Sequence, residues 1–286
     1  MSQILQGQEA DLGEFSVQRI LPHMQKKMVG PFIFVDHMGP ADFPAGKGVN
    51  VRPHPHIGLA TITYLFEGSI LHRDSLGNVQ EIYPGDVNWM TAGKGIVHSE
   101  RETLEVRASE HQLNGLQCWV ALPEDKTDIE PSFTHIKKDR LPHIMRPGLL
   151  MRLIAGDAYG HSAPVKTYST MFYADLIADA GTCLERPDPS LECALYVQLG
   201  EVVVNGQTYH AGDFIYFEEG DTEMNFTRCS RAVLLGGEKF ERTPYIHWNF
   251  VAYSREEIEA ARARWEQGGF PVIPGDDQEF IPLPTR

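Results

Sequence analysis

Short apolar segments separated by glycine and proline dominate the hydrophobic pattern of this chain. Turn residues bound many of these segments, which are rich in valine, isoleucine, threonine and aromatic residues, as is typical of β-strands. The segments are residues 31–35, 60–66, 116–122, 195–199, 201–204, 213–217 and 231–235. Many short strands joined by Gly- and Pro-containing turns predict a β-sandwich or barrel.

Local signals add two hairpins and one helix to this pattern. Asn205-Gly206 lies between apolar runs and favours a type I′ turn, and residues 75–78 predict a looser hairpin loop. Ser254 and Glu257 have the spacing of a capping box, and Gly268 is expected to end the helix that they begin. The proline-rich tail, residues 271–286, is expected to run extended over the surface.

A faint internal repeat indicates two similar β units in tandem. Residues 64–68 and 196–200 each precede a predicted hairpin, which a Gly-Asp turn follows at residues 85–86 and 212–213. A polar, proline-containing run near residues 137–142 is a suitable boundary. We therefore expect two domains, residues 1–140 and residues 141–286.

Composition and charge exclude several classes of protein. The 286 residues include 25 Lys and Arg against 39 Asp and Glu, a net charge of −14. Non-specific binding to nucleic acid or to an anionic membrane needs a positive field, so neither is an expected partner. We find no apolar run long enough to span a membrane, no signal-peptide pattern at the N-terminus and no CxxC pair among the four cysteines. These features favour a cytoplasmic protein with reduced thiols.

Two pairs of polar residues carry the strongest chemical signal. His54-Pro55-His56 and His98-Ser99-Glu100 both have an i, i+2 spacing, which places both outer side chains on one face of a strand. If the two strands are neighbours, three imidazoles and one carboxylate converge. That donor set suits a divalent transition metal, and the carboxylate shifts the preference towards Fe(II) or Mn(II). A His-x-His pair alone is usually structural, so the prediction depends on both pairs.

The other nine histidines lack such company and are expected to be hydrogen-bonded surface or core residues. His37 is the strongest further candidate because it follows Asp36 and lies near the predicted site in the sequence. The remaining eight are His23, His72, His111, His135, His143, His161, His210 and His247. The chain also lacks the glycine-rich nucleotide loops and the Gly-x-Ser-x-Gly nucleophile motif of hydrolases.

The blocks at residues 54–68 and 84–100 resemble the metal-binding signature of the pirin family. Further similarity lies at residues 115–123, 156–164 and 254–270, so the resemblance covers most of the chain. It implies an all-β bicupin, which consists of two tandem jelly-roll β-barrels with a C-terminal α-helix. It also implies that His54, His56, His98 and Glu100 bind one iron in the N-terminal barrel. Fe(II) is the expected ion, with Mn, Ni, Cu or Zn as substitutes.

The two halves differ at the aligned positions. Arg186 and Asp188 stand opposite the first histidine pair, and Asn225 and Thr227 stand opposite His98 and Glu100, so the C-terminal barrel is expected to be metal-free. Within the first barrel, Ala60 occupies a position where many relatives carry a glutamate near the metal. The resemblance therefore leaves open whether the family's chemistry is altered here.

The resemblance implies a metal-dependent dioxygenase that cleaves a flavonol such as quercetin, or a similar enol, with O₂. Glu100 would then be a catalytic residue, as a fixed ligand or as a mobile base. One alternative is an iron-dependent regulatory protein that acts through protein partners with little or no catalysis. Another is a structural metal barrel that has lost activity, for which Ala60 is the only hint in the sequence.

Overall fold

The structure is a computed structural model that describes residues 2–11 and 15–284. Most of these residues lie in β-strands. The strands are β1 (Gln3–Leu5), β2 (Gln8–Asp11), β3 (Ser16–Leu21), β4 (Phe32–Phe43), β5 (Asn50–His56), β6 (Leu59–Glu67), β7 (Ile70–Asp74), β8 (Val79–Ile82), β9 (Val87–Thr91), β10 (Ile96–Arg101), β11 (His111–Ala121), β12 (Ser132–Ile136), β13 (His143–Arg146), β14 (Leu149–Ala158), β15 (His161–Ser162), β16 (Met171–Ala178), β17 (Thr182–Glu185), β18 (Glu192–Leu199), β19 (Glu201–Val204), β20 (Gln207–His210), β21 (Phe214–Tyr216), β22 (Glu223–Phe226), β23 (Ser230–Gly237), β24 (Tyr245–His247) and β25 (Phe250–Ala252). The helices are α1 (Leu104–Arg107) and α2 (Arg255–Glu266), with short 3₁₀ turns at Glu124–Lys126 and Lys138–Arg140.

The strand order repeats along the chain. One four-stranded sheet has the order β5-β10-β7-β8, and another has the order β17-β22-β19-β20. Within the two larger sheets, β9-β6-β11-β4 corresponds in the same way to β21-β18-β23-β16. Each strand of the second set is the twelfth after its counterpart, which is the topology that two tandem copies of one jelly roll produce. The predicted all-β bicupin with a C-terminal helix is confirmed.

The chain forms two compact units, and each unit combines segments that are distant in the sequence. The first contains residues 1–8, 19–35 and 139–240, and the second contains residues 9–18, 36–138 and 241–286. The core of the first unit includes the buried side chains of Phe172, Leu195, Tyr209, Phe226 and Leu234. The division at residue 140 stays a prediction about domains.

The second unit contains two apolar clusters. One lies under strands β4 to β8 and β11 and includes Met38, Leu65 and Ile82. The other gathers α2 and the chain after it around Phe250 and Ile258. These two clusters support the β5–β10 sheet, on which both predicted ligand pairs lie.

Local signals in the sequence correctly placed the hairpins and the long helix. Asn205 and Gly206 have φ values of 49° and 78°, so both central residues have the positive φ that a type I′ turn requires. Ser254 caps α2, and Glu257 completes the capping box. The single turn α1, capped by Thr103, was not predicted, because four residues are too few to show a helical period. No helix in the described parts of the chain is long and apolar enough to cross a membrane.

The C-terminal tail does not run entirely over the surface, so that expectation was wrong in part. Ile273 is only 1% exposed and packs with Phe250, Ile258 and Phe270, the residue just before the tail; residues 285–286 lie outside the described chain. The Ile281 amide donates to the carbonyl of Pro53, 2.8 Å away. The apolar residues between the tail prolines therefore anchor the segment by burial, which the proline content alone did not reveal.

An ion pair also fixes the tail to the back of β10. The Arg101 guanidinium donates to both carboxylate oxygens of Asp276, at 2.9 and 3.0 Å, and Ser99 donates to the same carboxylate at 2.6 Å. Ser99 and Arg101 alternate along β10 with His98 and Glu100, so they point to the opposite face of the strand. The tail therefore supports the strand that carries half of the predicted metal site.

We expect Asp276→Asn to lower the free energy of unfolding by about 1–3 kcal/mol, because it removes the charge from a largely buried bidentate pair. Asp277→Asn is the matched control, since that exposed side chain accepts only from the adjacent Gln278 among the described contacts. It should change stability by less than about 0.5 kcal/mol. Urea denaturation measures both, and equal stability of the two variants would show that the tail contact contributes nothing.

Candidate metal centre

Strands β5 and β10 are antiparallel neighbours, as the proposed site requires. His98 stands opposite His54 in the register, and Ile96 stands opposite His56. The alternation of side chains places His54, His56 and His98 on one face of this sheet. Their exposed fractions are 6%, 1% and 0%, so all three imidazoles are buried.

One nitrogen from each imidazole contributes to a tight group. These three nitrogens lie within 4.8 Å of one another. The Nε2 atoms of His56 and His98 are 3.1 Å apart, and the ring centroids of His54 and His98 are 4.4 Å apart. Among the described residues, this is the only group of three or more His, Cys, Asp or Glu that close.

Backbone carbonyls decide which nitrogens point into the group. Nδ1 of His54 donates to the carbonyl of Arg52 at 2.8 Å, and Nδ1 of His56 donates to the carbonyl of Asn249 at 3.2 Å. A carbonyl oxygen can only accept, so each Nδ1 must carry the proton. Nε2 of both neutral rings therefore presents a lone pair.

Burial keeps these rings neutral. It lowers the pKa of His54 to about 4, and it lowers the pKa values of His56 and His98 well below the usual value for histidine. The neighbouring imidazoles lower the last two further, since two positive charges so close would repel. At neutral pH the group is a set of uncharged nitrogen donors.

This donor set fits a metal ion. The lone pair on Nε2 of His56 faces Nε2 of His98 at 3.1 Å, so either a proton on His98 or a cation between the two nitrogens must satisfy it. Nitrogens that occupy adjacent positions at right angles around one ion, each about 2.1 Å from it, lie about 3 Å apart. Neutral imidazole is also the form of histidine that binds metals, so the three rings need not lose a proton first.

Glu100 lies beside the histidine group but is not one of its members. A β-bulge follows His98, so Glu100 stands opposite Val51. One carboxylate oxygen accepts from the Thr63 hydroxyl at 3.1 Å, and that hydroxyl is also 3.0 Å from the Gln117 side chain. Burial raises the pKa of Glu100. Its role as a fourth ligand stays a prediction.

Two residues behind His98 were missed as part of the site. His72 and Asp74 lie on β7, the other neighbour of β10, where Asp74 stands opposite His98. Nδ1 of His72 is 3.5 Å from Nδ1 of His98, and Nε2 of His72 is 3.0 Å from the Asp74 carboxylate. The sequence did carry a signal, because His72 and Asp74 have the same i, i+2 spacing as the predicted ligand pairs.

The expectation that position 60 lies near the metal was wrong. Thr63 contacts Glu100. Thr61 pairs with Trp119, and the ring centroid of Trp119 lies 5.1 Å from that of His56. The face of β6 towards the site therefore contains Thr61 and Thr63, and alternation places Ala60 on the opposite face. A glutamate at position 60 would not point at the three imidazoles.

His37, the strongest candidate among the other histidines, does not belong to the group. Its Nε2 lies 2.8 Å from the side-chain oxygen of Asn114, and its ring meets Phe66 edge-on. It is a buried, hydrogen-bonded histidine, as we expected for the histidines outside the two pairs.

The fold and the site define the class of protein as a bicupin whose buried histidines are suited to hold a metal. The Pirin family matches residues 14–120, and the Pirin C-terminal cupin domain matches residues 173–271. The chain belongs to the pirin family.

Known proteins similar to this chain include enzymes and proteins named only for the family. A pirin-like protein of Caulobacter vibrioides is 45% identical over an alignment of 285 residues that covers 98% of this chain and 98% of its own. Human pirin is 31% identical over 254 residues, covering 86% of this chain and 84% of its own. The crystal structure of a quercetin 2,3-dioxygenase from Acinetobacter baumannii superimposes with a TM-score of 0.91 at 35% identity, covering 100% of this chain and 95% of the other.

The buried histidines predict how the stability of the metal-free protein depends on pH. Because the pKa of His54 is about 4 when folded and about 6.5 when unfolded, the unfolded chain binds its proton more readily between these values. Stability is therefore complete above about pH 6.5 and falls towards pH 4, by about 3 kcal/mol for this residue.

Urea unfolding of chelator-treated protein over that pH range measures the effect. His54→Gln is the control, because it retains a polar side chain that does not titrate. The variant should lose less stability on acidification than the parent chain. Parallel losses would show that His54 is not held neutral by the fold.

Proposed function

We propose that this protein is a metal-dependent dioxygenase that cleaves a flavonol such as quercetin, or a related enol, with O₂. The observation that carries the proposal is the group of three buried, neutral imidazoles whose nitrogens converge within 4.8 Å. The similarity to a solved quercetin 2,3-dioxygenase over the whole chain supports the reaction class.

We propose His54, His56 and His98 as ligands through Nε2, with Glu100 as the fourth. Imidazole binds several transition metals, and an added carboxylate favours Fe(II), while Mn, Ni, Cu or Zn are possible substitutes. When bound, the ion supplies Lewis-acid and redox chemistry, lowering the pKa of a substrate hydroxyl and opening a route for electrons to O₂. Four protein ligands would leave positions free for substrate.

Glu100 is the residue best placed to move a proton. Its raised pKa makes the carboxylate a stronger base than an exposed glutamate, so it can accept the proton of the substrate's enolic hydroxyl. The Thr63 hydroxyl holds one of its oxygens at 3.1 Å and so orients the group. The Trp119 ring lies against His56 and provides an apolar wall beside the ligand histidines.

The second barrel is proposed to bind no metal. Arg186, which occupies the position aligned with His54, is 8% exposed, and its guanidinium donates to the carbonyl of Asp221 at 3.3 Å. A buried cation at this position would repel a metal ion. We therefore assign the chemistry to the barrel within residues 1–140 and a supporting role to residues 141–286.

Oxygen uptake with quercetin, measured with and without Fe(II), tests the proposed reaction. We expect metal-dependent uptake, release of carbon monoxide from the opened ring, and about one metal ion per chain by elemental analysis, as one group of donors implies. His98→Ala should abolish both uptake and metal, whereas His161→Ala, at an exposed position, should change neither. A metal-bound parent protein that consumes no oxygen would instead favour the non-catalytic alternatives.

Glu100→Gln separates the two roles of this residue. If Glu100 is also a base, the variant should retain part of its metal while turnover falls by about 10²–10⁴-fold. Metal content and oxygen uptake are measured on the same preparation, with the isosteric change keeping the contact to Thr63. An equal fractional loss of metal and turnover would leave only the ligand role.

A further inference from the structure

A buried polar chain connects His98 to the turn of the β7–β8 hairpin. We propose that Asp74, acting through His72, fixes the tautomer of His98 so that its Nε2 presents a lone pair to the metal. Asp74 and His72 would thus be positioning residues of the proposed metal centre, and the inference rests on that centre.

His98 differs from the other two histidines in the partner of its Nδ1. His54 and His56 each donate to a backbone carbonyl, which fixes the proton on Nδ1. The partner of His98 is Nδ1 of His72, at 3.5 Å, and an imidazole nitrogen can either donate or accept. Nδ1 of His98 can therefore donate to His72 only if Nδ1 of His72 has a lone pair, which depends on what holds the other side of His72.

That other side is a fully buried carboxylate that accepts from several donors. Asp74 is 0% exposed, and one of its oxygens lies 3.0 Å from Nε2 of His72 and 2.9 Å from the side-chain amide of Asn78. Its other oxygen accepts from the amides of Leu76 and Asn78 at 2.9 and 3.1 Å, and from the Asn78 side chain at 3.0 Å. An ionised carboxylate only accepts, so Nε2 of His72 must carry a proton.

The remaining proton positions follow from this contact. With its proton on Nε2, His72 can offer a lone pair on Nδ1, which accepts from Nδ1 of His98 when His98 binds an ion through Nε2. His98 then has its lone pair on Nε2, the atom that lies 3.1 Å from Nε2 of His56. All three histidines thus present Nε2 in the same state.

Packing keeps His72 in the orientation that this chain needs. Its ring is 3% exposed and stacks on Phe133, with centroids 4.3 Å apart and an interplanar angle of 12°. A ring flip would remove Nε2 from the Asp74 carboxylate. The stacked aromatic ring and the buried carboxylate therefore act together on the same imidazole.

Asp74→Asn tests the proposal because it should change which nitrogen of His72 and of His98 carries the proton. Three donors face one oxygen of Asp74, so the asparagine oxygen should occupy that position. The NH₂ group then faces His72, and the contact that the other oxygen makes with the Asn78 side chain is lost. It would donate to Nε2 of His72, which would move the proton of His72 to Nδ1 and that of His98 to Nε2. We expect metal affinity to fall by about 10–100-fold, the usual cost of losing such a supporting contact.

The affinity is measured with Co(II) in competition with a chromophoric chelator, with no substrate present. Glu81→Gln is the matched control, because it makes the same change in the same sheet at a carboxylate that contacts Ser69 and Tyr83. It should leave Co(II) affinity unchanged. Equal affinity of the parent protein and Asp74→Asn would overturn the proposal.

Two further measurements exclude a merely structural effect. In a His72→Phe background, which keeps an aromatic ring against Phe133, Asp74→Asn should no longer lower Co(II) affinity; an undiminished loss would show that Asp74 does not act through His72. In Zn(II)-loaded protein with ¹⁵N-labelled histidine, NMR should show His98 protonated on Nδ1 and His72 protonated on Nε2. A proton on Nδ1 of His72 would overturn the inference, whereas a parent protein that binds no Co(II) would refute the proposed centre itself.

Discussion

The register between β5 and β10 is the constraint on which the candidate site depends. Because side chains alternate along a strand, a slip of one residue would turn His98 and Glu100 away and bring Val97 and Ser99 to the site. The observed pairing of His98 with His54 places imidazoles from two strands side by side. The back of the same sheet fixes this register, since Ser99 and Arg101 hold the tail carboxylate of Asp276 and the Pro53 carbonyl accepts from Ile281.

Much of this arrangement could be predicted from the sequence because its signals are local. The spacing of His54 and His56, the Asn205-Gly206 turn and the Ser254 capping box each involve residues within three positions of one another. Such features depend on backbone geometry that every strand, turn or helix shares. The repeat of turns added a non-local statement, that two similar β units follow each other, and the strand order agrees with it.

The rest depends on contacts between distant segments. Nothing near Arg101 in the sequence indicates Asp276, and Phe270 and Ile273 are buried by packing against α2 and β25. Position 60 was misplaced for a related reason. A resemblance only places a residue near a site. The face of the strand on which its side chain lies depends on the strand pairing, here the pairing of Thr61 with Trp119. The register with β5 also shifts between His98 and Glu100, which places Glu100 opposite Val51, and the i, i+2 spacing could not indicate this.

The two barrels together show what distinguishes a site from its scaffold. Both contain a four-stranded sheet of the same order, so the topology alone does not bring three imidazoles together. In the first barrel, three adjacent strands carry imidazoles. Strands β5 and β10 carry the convergent group, and β7 supplies His72. In the second barrel, the aligned Arg186 turns its charge to the backbone of Asp221. Burial of neutral histidines costs little, whereas the buried guanidinium of Arg186 depends on backbone acceptors, so the same topology holds three convergent imidazoles in one copy and a structural contact in the other.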